Sequence, residues 1–246
     1  MRYLSIVLTL AILSVAGPAG DRAVAADALR VSGSTTVYAH VFLKHKDDIE
    51  KAADLKLSVV ANSSGRGLAD LVGGQSDIAM LSSPLADVAK KANVDTASLR
   101  EAKIGDSRIV FIVHPSNPVK SLTLAQLKDI FAGTIANWKD VGGAPGSILL
   151  VAEDPKGGLR TTVEEKVMRG TALAGSARAL PNGSQIPTVV KQAPGAIGFA
   201  SARHDLSGVK VVDTDAKVEQ SLFLVTKGDP APAAARLIQA ATRAAN

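Results

Sequence analysis

The chain has no cysteine, one tryptophan, two tyrosines and five phenylalanines among its 246 residues. Without cysteine there is no disulfide framework, no thiolate nucleophile and no thiol to carry a lipid at a processed N-terminus. Aromatic residues make up only 3% of the chain, too few for the stacking platforms that hold single-stranded nucleic acid or a sugar. The four histidines, His40, His45, His114 and His204, are scattered without metal-ligand spacing, and His40 and His45 lie five apart, off a common helix face. No P-loop and no G-x-S-x-G elbow occurs. Ser207-Gly208-Val209-Lys210 fits S-x-x-K, but its partner motifs are missing. These absences argue against an enzyme, a bound metal or a cofactor. The formal net charge of +5 is mild: it favours an anionic ligand or surface weakly and serves equally as a solubility setting.

Long apolar runs are also missing after Val15. Before it, Arg2 supplies a positive start, Leu4 to Val15 an apolar core, and Ala23-Val24-Ala25 small residues suited to cleavage. A membrane span needs about 20 apolar residues, and Asp21 and Arg22 end this run too early. Residues 1–25 are therefore expected to be a secretory signal, which leaves a soluble periplasmic or secreted protein without a lipid anchor.

What is present is an alternation of Val/Ile/Leu runs with segments of helical period. Leu29–Val31, Leu57–Val60 and Ile78–Leu81 alternate with Val37–Ile49 and Gly67–Val72. That pattern predicts an α/β fold with a mainly parallel sheet. Ile109–Val113 is a buried-strand run halted by His114-Pro115-Ser116-Asn117-Pro118. Thr123-Leu124-Ala125-Gln126 has capping-box spacing, and Gly133 is placed to end the helix it opens. Further strands are expected at 148–151, 196–199 and 221–225, with helices over 159–168 and 231–245. Residues 170–186 read as loop. Two lobes suit this series better than one continuous sheet, with 109–113 and 221–225 as crossing strands. The expected division is 26–110 plus 221–246 for one lobe and 111–220 for the other.

Three strand-to-helix junctions carry unusual residues: Ser32-Gly33-Ser34-Thr35-Thr36, Asn62-Ser63-Ser64-Gly65-Arg66-Gly67 and Asp154-Pro155-Lys156-Gly157-Gly158. The first amides of a helix have no internal partner and carry the positive end of its dipole, so they bind anions, and glycine permits close approach. Ser34, Thr35, Thr36, Ser63 and Ser64 offer hydroxyls, Gly65, Gly157 and Gly158 offer amides, and Arg66, Lys156 and Arg160 offer positive charge. A single such loop reads equally well as an ordinary Ser/Thr cap. Three on one strand-end surface point to a small-anion receptor with its cleft between the lobes.

The same segments, with Ser76 to Leu85 (SDIAMLSSPL), Leu122 to Gly143 (LTLAQLKDIFAGTIANWKDVGG) and Pro194 to Phe199 (PGAIGF), resemble the periplasmic phosphate-binding proteins of ABC importers. The resemblance implies a two-lobed type II periplasmic-binding fold, a monomer that holds phosphate on main-chain amides and Ser/Thr hydroxyls, and an ABC-transporter permease as partner. Carried over by position, Thr35 with Ser34 or Thr36, and Ser63 or Ser64, are the first-lobe contacts. Trp138 reads as a half-buried structural residue.

Departures from the family pattern fall within the site segments themselves. Ser82 stands where long members carry an aspartate that accepts phosphate's proton and rejects sulfate. In the second lobe the family shows an arginine followed by Gly-Ser-Gly-Thr; here Glu153 replaces the arginine, Gly157 the serine and Leu159 the threonine. A carboxylate about 4 Å from phosphate would cost on the order of 4 kcal/mol at an effective dielectric near 20. Either Glu153 turns toward Lys156 or Arg160 and leaves a weaker site, or the ligand is not phosphate. A small oxyanion, with phosphate foremost, is the leading reading. The alternatives are a binding module for another ligand, or a partner-binding signalling protein with a vestigial cleft; a phosphatase-like enzyme ranks last.

Overall fold

The computed structural model describes residues 28–246, so the signal-peptide reading of residues 1–25 lies outside the described residues. Strand β1 (Leu29–Ser34) runs straight into α1 (Thr35–Val37), which continues through a wider helical turn at Tyr38–Phe42 into α2 (Leu43–Ala53). Then come β2 (Leu57–Asn62), α3 (Ser64–Val72), β3 (Ile78–Leu81), α4 (Leu85–Ala92) and the long β4 (Leu99–Val113). The next stretch holds β5 (Ser121–Leu122), α5 (Leu124–Ala132), β6 (Leu149–Glu153), α6 (Gly158–Val163) and β7 (Arg178–Leu180). It closes with α7 (Ile186–Gln192), β8 (Ala196–Ser201), β9 (Lys210–Thr214), β10 (Val218–Lys227) and α8 (Pro232–Ala245).

Strands pair in the order β2-β1-β3-β10-β4-β8-β6-β7. The pairings β1 with β2 and β3, and β6 with β7 and β8, are parallel, as helical crossovers require; β10 pairs antiparallel with both β3 and β4. One continuous sheet, set aside above in favour of two lobes, is therefore present, with β4 and β10 as its crossing strands. Hydrogen bonding runs without a break through β4 and β10, because these long strands are shared between the two halves. The cores are nonetheless distinct. One apolar cluster gathers Ile109 to Val113 with Leu127, Phe131, Val163 and Phe199, and two others gather around Val37, Ile49, Leu224 and Leu237, and around Leu68, Leu81, Val88 and Val225. The molecule is thus an α/β protein of two lobes joined by shared strands.

Scarce aromatics are concentrated where they count. Three of the five phenylalanines, Phe111, Phe131 and Phe199, meet in the second lobe with ring centroids 6.1 and 5.4 Å apart. Each such pair contributes about 0.5–1.5 kcal/mol beyond burial of its area. Phe131 is delivered by α5, whose N-terminus closes a capping box: the Thr123 hydroxyl accepts from the Gln126 amide at 3.1 Å and Gln126 Oε1 accepts from the Thr123 amide at 2.9 Å. Gly133 ends the helix at φ 81°. Trp138 is buried rather than half-buried, and its indole N–H donates to the Gly195 carbonyl at 3.0 Å. The stretch read as loop contains β7 and a short helical turn at Gly183–Gln185. Among the described residues no helix is long and apolar enough to cross a membrane.

Candidate ligand-binding cleft

Parallel register sets the first-lobe side of the site. Ser34 of β1 lies beside Asn62 of β2, and Gly33 beside Met80 of β3, so all three strands end on one edge. From that edge start α1, α3 and the Ser82-Ser83 turn. The Asn62 side chain fixes the α3 start: its amide donates to Ser32 Oγ at 3.0 Å and to Asp70 at 3.2 Å, while its oxygen accepts from the Ser63 amide at 2.6 Å. The hydroxyls then divide by task. Ser34 Oγ accepts from the Thr36 and Val37 amides at 3.2 and 3.4 Å, and Ser63 Oγ from the Arg66 amide at 3.4 Å, which makes both helix caps. Ser64 points elsewhere: its Oγ accepts from the Ser82 amide at 3.1 Å and lies 3.5 Å from Ser82 Oγ. Thr35, Thr36, Ser64 and Ser82 are all buried.

The second lobe meets this edge through the start of α6. A methyl group at Gly158 would fall well under 3.0 Å from both Ser64 Oγ and Ser82 Oγ, so only glycine lets α6 come this close. Ser83 ties the contact, donating to the Gly158 carbonyl at 2.7 Å and lying 2.7 Å from Thr162 Oγ1. The Gly65 amide donates across the lobes to the Lys156 carbonyl at 3.1 Å. At the rim, Glu164 bridges Lys91 of the first lobe at 2.5 Å and Arg160 at 2.7 Å. Partial burial works to raise the Glu164 carboxyl, but the two cations hold it below its ordinary value.

Glu153 turns neither to the Lys156 nor to the Arg160 side chain. Its carboxylate accepts from the Arg160 amide at 3.2 Å and the Gly183 amide at 3.0 Å, with the Leu159 amide also directed at it. The Arg160 guanidinium binds the Glu153 main-chain carbonyl at 3.2 Å and Glu164 instead. A Cβ at Gly157 would collide with the Glu153 carboxyl carbon, so the glycine there makes the room this side chain occupies. Burial pushes the carboxyl up to about 7; the three amides pull it down and Asp154 adds to the rise.

The sequence reading missed three participants. Ser83 and Thr162 carry interlobe hydrogen bonds, and His204 sits buried at the turn after β8 with its ring against the Thr35 backbone and Cε1 3.4 Å from where a Gly183 Cβ would stand. Neither ring nitrogen closes a hydrogen bond of normal geometry, and burial pushes the imidazole down to about 4. Ser83 carried a signal in its neighbour Ser82; His204 carried none, being remote in sequence from every junction. Arg66 and Lys156 remain exposed and line a cavity of about 430 Å³ beside the contact, together with Ser63, Gly65 and Asp154. They are not brought to the Ser64–Ser82–Gly158 contact. Among the described residues no group of three or more His, Cys, Asp or Glu gathers as a metal site.

Comparison with known proteins places this arrangement. The sequence profile of the PBP superfamily domain matches residues 19–240. The phosphate-binding protein PstS of Bacillus subtilis (strain 168) is 28% identical over 175 residues, covering 71% of this chain and 57% of that protein. PstS of Staphylococcus epidermidis is 28% identical over 214 residues, covering 83% of this chain and 65% of that protein. The chain thus spans less than two thirds of the length of these curated relatives, both of which are binding proteins. Among solved structures, a Clostridium perfringens protein provisionally described as a phosphate ABC transporter substrate-binding protein, with phosphate bound, superposes with a TM-score of 0.76 at 27% identity, covering 87% of this chain and 92% of that one.

Proposed function

The chain belongs to the PBP superfamily, and from that premise we propose that it is the oxyanion-binding receptor of an ABC importer, with phosphate as the foremost ligand. The reading makes it a periplasmic or secreted binding protein and not an enzyme, with a permease as partner, acting as a monomer. One observation carries it: across the lobes, buried Ser64 and Ser82 of the first face the glycine that starts α6 in the second, beside the buried first turn of α1. Helix starts of that kind supply amides and dipoles to an anion, and hydroxyls complete its hydrogen bonding. In this reading Ser64, Ser82, Thr35, Thr36 and the Gly158 amide are the inner contacts. Ser34 and Ser63 shape the loops as caps, with Gly65 and Gly157 as the glycines of close approach. Arg66, Lys156 and Arg160 set the positive potential around the cavity mouth.

The relatives' names and the phosphate in the Clostridium perfringens structure support the ligand class. Titration calorimetry with phosphate and sulfate tests it. Saturable binding is expected, and Ser64→Ala should cost about 1.5–3 kcal/mol, the range for a hydrogen bond to a charged group. Absence of saturable heat with either oxyanion would sink the reading. A signalling role with a vestigial cleft would then be favoured by Glu153, whose carboxylate already satisfies second-lobe amides.

A further inference from the structure

The second-lobe half of the cleft contains an anion of its own. Glu153 ends β6, is buried, and directs its carboxylate onto the amides of Leu159 and Arg160 in the first turn of a helix that runs unbroken from Gly158 to Met168, and onto the Gly183 amide. These are donors of the kind an oxyanion would use. The room it fills exists because residue 157 has no side chain. The charged and titratable groups around it are few. Asp154 is its neighbour in the chain, Lys156 is exposed in the same loop, and the Arg160 guanidinium is engaged by the Glu153 carbonyl and Glu164. Across Gly183 stands His204, 7% exposed, its ring against the Thr35 backbone with neither nitrogen closing a hydrogen bond of normal geometry. No side-chain cation pairs with the carboxylate among the described residues.

We propose that the Glu153 carboxylate is a tethered occupant of the second-lobe half of the oxyanion site, and that an oxyanion binds only as this group takes up a proton. The inference rests on the receptor reading above. A proton from solvent converts the carboxylate to a carboxylic acid, whose O–H turns from competitor to donor toward the incoming oxygen. Two unprotonated anions sharing one set of amides would repel each other, the more strongly at the low dielectric of a cleft. Glu153 thereby couples binding to pH: one proton, held on its carboxyl, accompanies each oxyanion bound.

Sulfate is the cleaner probe, because it does not titrate near neutral pH. Calorimetry of the full chain with sulfate between pH 6 and 8.5 should show affinity falling about thirtyfold, the linkage expected for one group titrating at about 7. At pH 8, the dependence of the heat on buffer ionisation should show close to one proton taken up per sulfate bound. Glu153→Gln should flatten the pH profile. Should that variant fail to fold, proton uptake by the unmodified protein decides alone. Measurable sulfate binding that is independent of pH would overturn the inference and leave the receptor reading standing. So would a pH profile that survives Glu153→Gln and vanishes in His204→Gln. Failure of both phosphate and sulfate to bind either protein at any pH would overturn the receptor reading, and the inference with it.

Discussion

Replacing Glu153 by glutamine also tests the electrostatics of the cleft with no ligand present. Burial holds the carboxyl at about 7 in the folded protein, against an ordinary value of 4.5. The folded state therefore binds this proton more tightly than the unfolded chain does. Its stabilising contribution is fully present below 4.5 and is lost as pH rises through about 7. At about 1.4 kcal/mol per pKa unit the loss reaches about 3 kcal/mol by pH 8, a large part of the 5–15 kcal/mol that separates most folded domains from unfolding. The assay is urea denaturation of the unmodified protein and Glu153→Gln from pH 4.5 to 8.5. Subtracting the two curves cancels distant groups common to both, as additivity for separated sites allows. The stability of the unmodified protein relative to the variant should fall by about 3 kcal/mol across that range. A flat difference would refute the reasoning, because it would mean that three amides offset the whole cost of burying the charge.

Gly158→Ala should keep the lobes from meeting, since its methyl group would fall well under 3.0 Å from two serine oxygens; small-angle scattering should show a larger radius of gyration, and an unchanged one would contradict the close approach. Glu50 is held down to about 2 first by Lys46, at 2.5 Å, and then by the Leu57 amide at 2.8 Å, with Lys56 at 3.1 Å. Its stabilisation is present above the ordinary 4.5 and lost as pH falls through about 2. Glu50→Gln should therefore be less stable than the unmodified protein at pH 7, and acid titration should bring the two together near pH 2. Arg66→Ala should weaken phosphate binding by about 1.5–3 kcal/mol if the guanidinium swings from the cavity wall onto the ligand; unchanged affinity by calorimetry would assign Arg66 to solvent.

Much of the fold is legible because it depends on local rules. The α5 capping box, the stop at Gly133, and a helix opening near 159 follow from spacing alone. The alternation of strands with helices gives the parallel pairs, since crossover geometry leaves few other arrangements. The continuity of the sheet was not legible. Whether β4 and β10 bond to each other along Leu99–Ile109 depends on pairing residues more than a hundred positions apart, and no local pattern encodes it. The depth of Trp138 escaped for a similar reason, because the carbonyl that satisfies its indole belongs to Gly195.

The site shows where reading residues one at a time stops. Ser63 and Ser64 are chemically equal in sequence, and only the helix start separates them: one residue caps α3, and the next, a helix position on, faces Ser82. Glu153 and Gly157 looked like two independent losses, an arginine reversed in charge and a hydroxyl removed. In space they form one change. Glycine at 157 removes the atoms that would occupy the place of the Glu153 carboxyl, and the carboxyl then takes the amides of Leu159, Arg160 and Gly183. Neither substitution is tolerable alone. A serine at 157 would drive Glu153 off its donors, leaving a buried carboxylate unpaired at a cost of several kcal/mol. An arginine at 153 would present a guanidinium to three main-chain N–H groups that need an acceptor. Gly157→Ser should therefore cost more beside Glu153 than beside a side chain too short to meet it, a coupling that a double-mutant cycle of Glu153→Ala and Gly157→Ser measures directly. Additive costs would mean that the two positions changed independently and that the fit between them carries no energy.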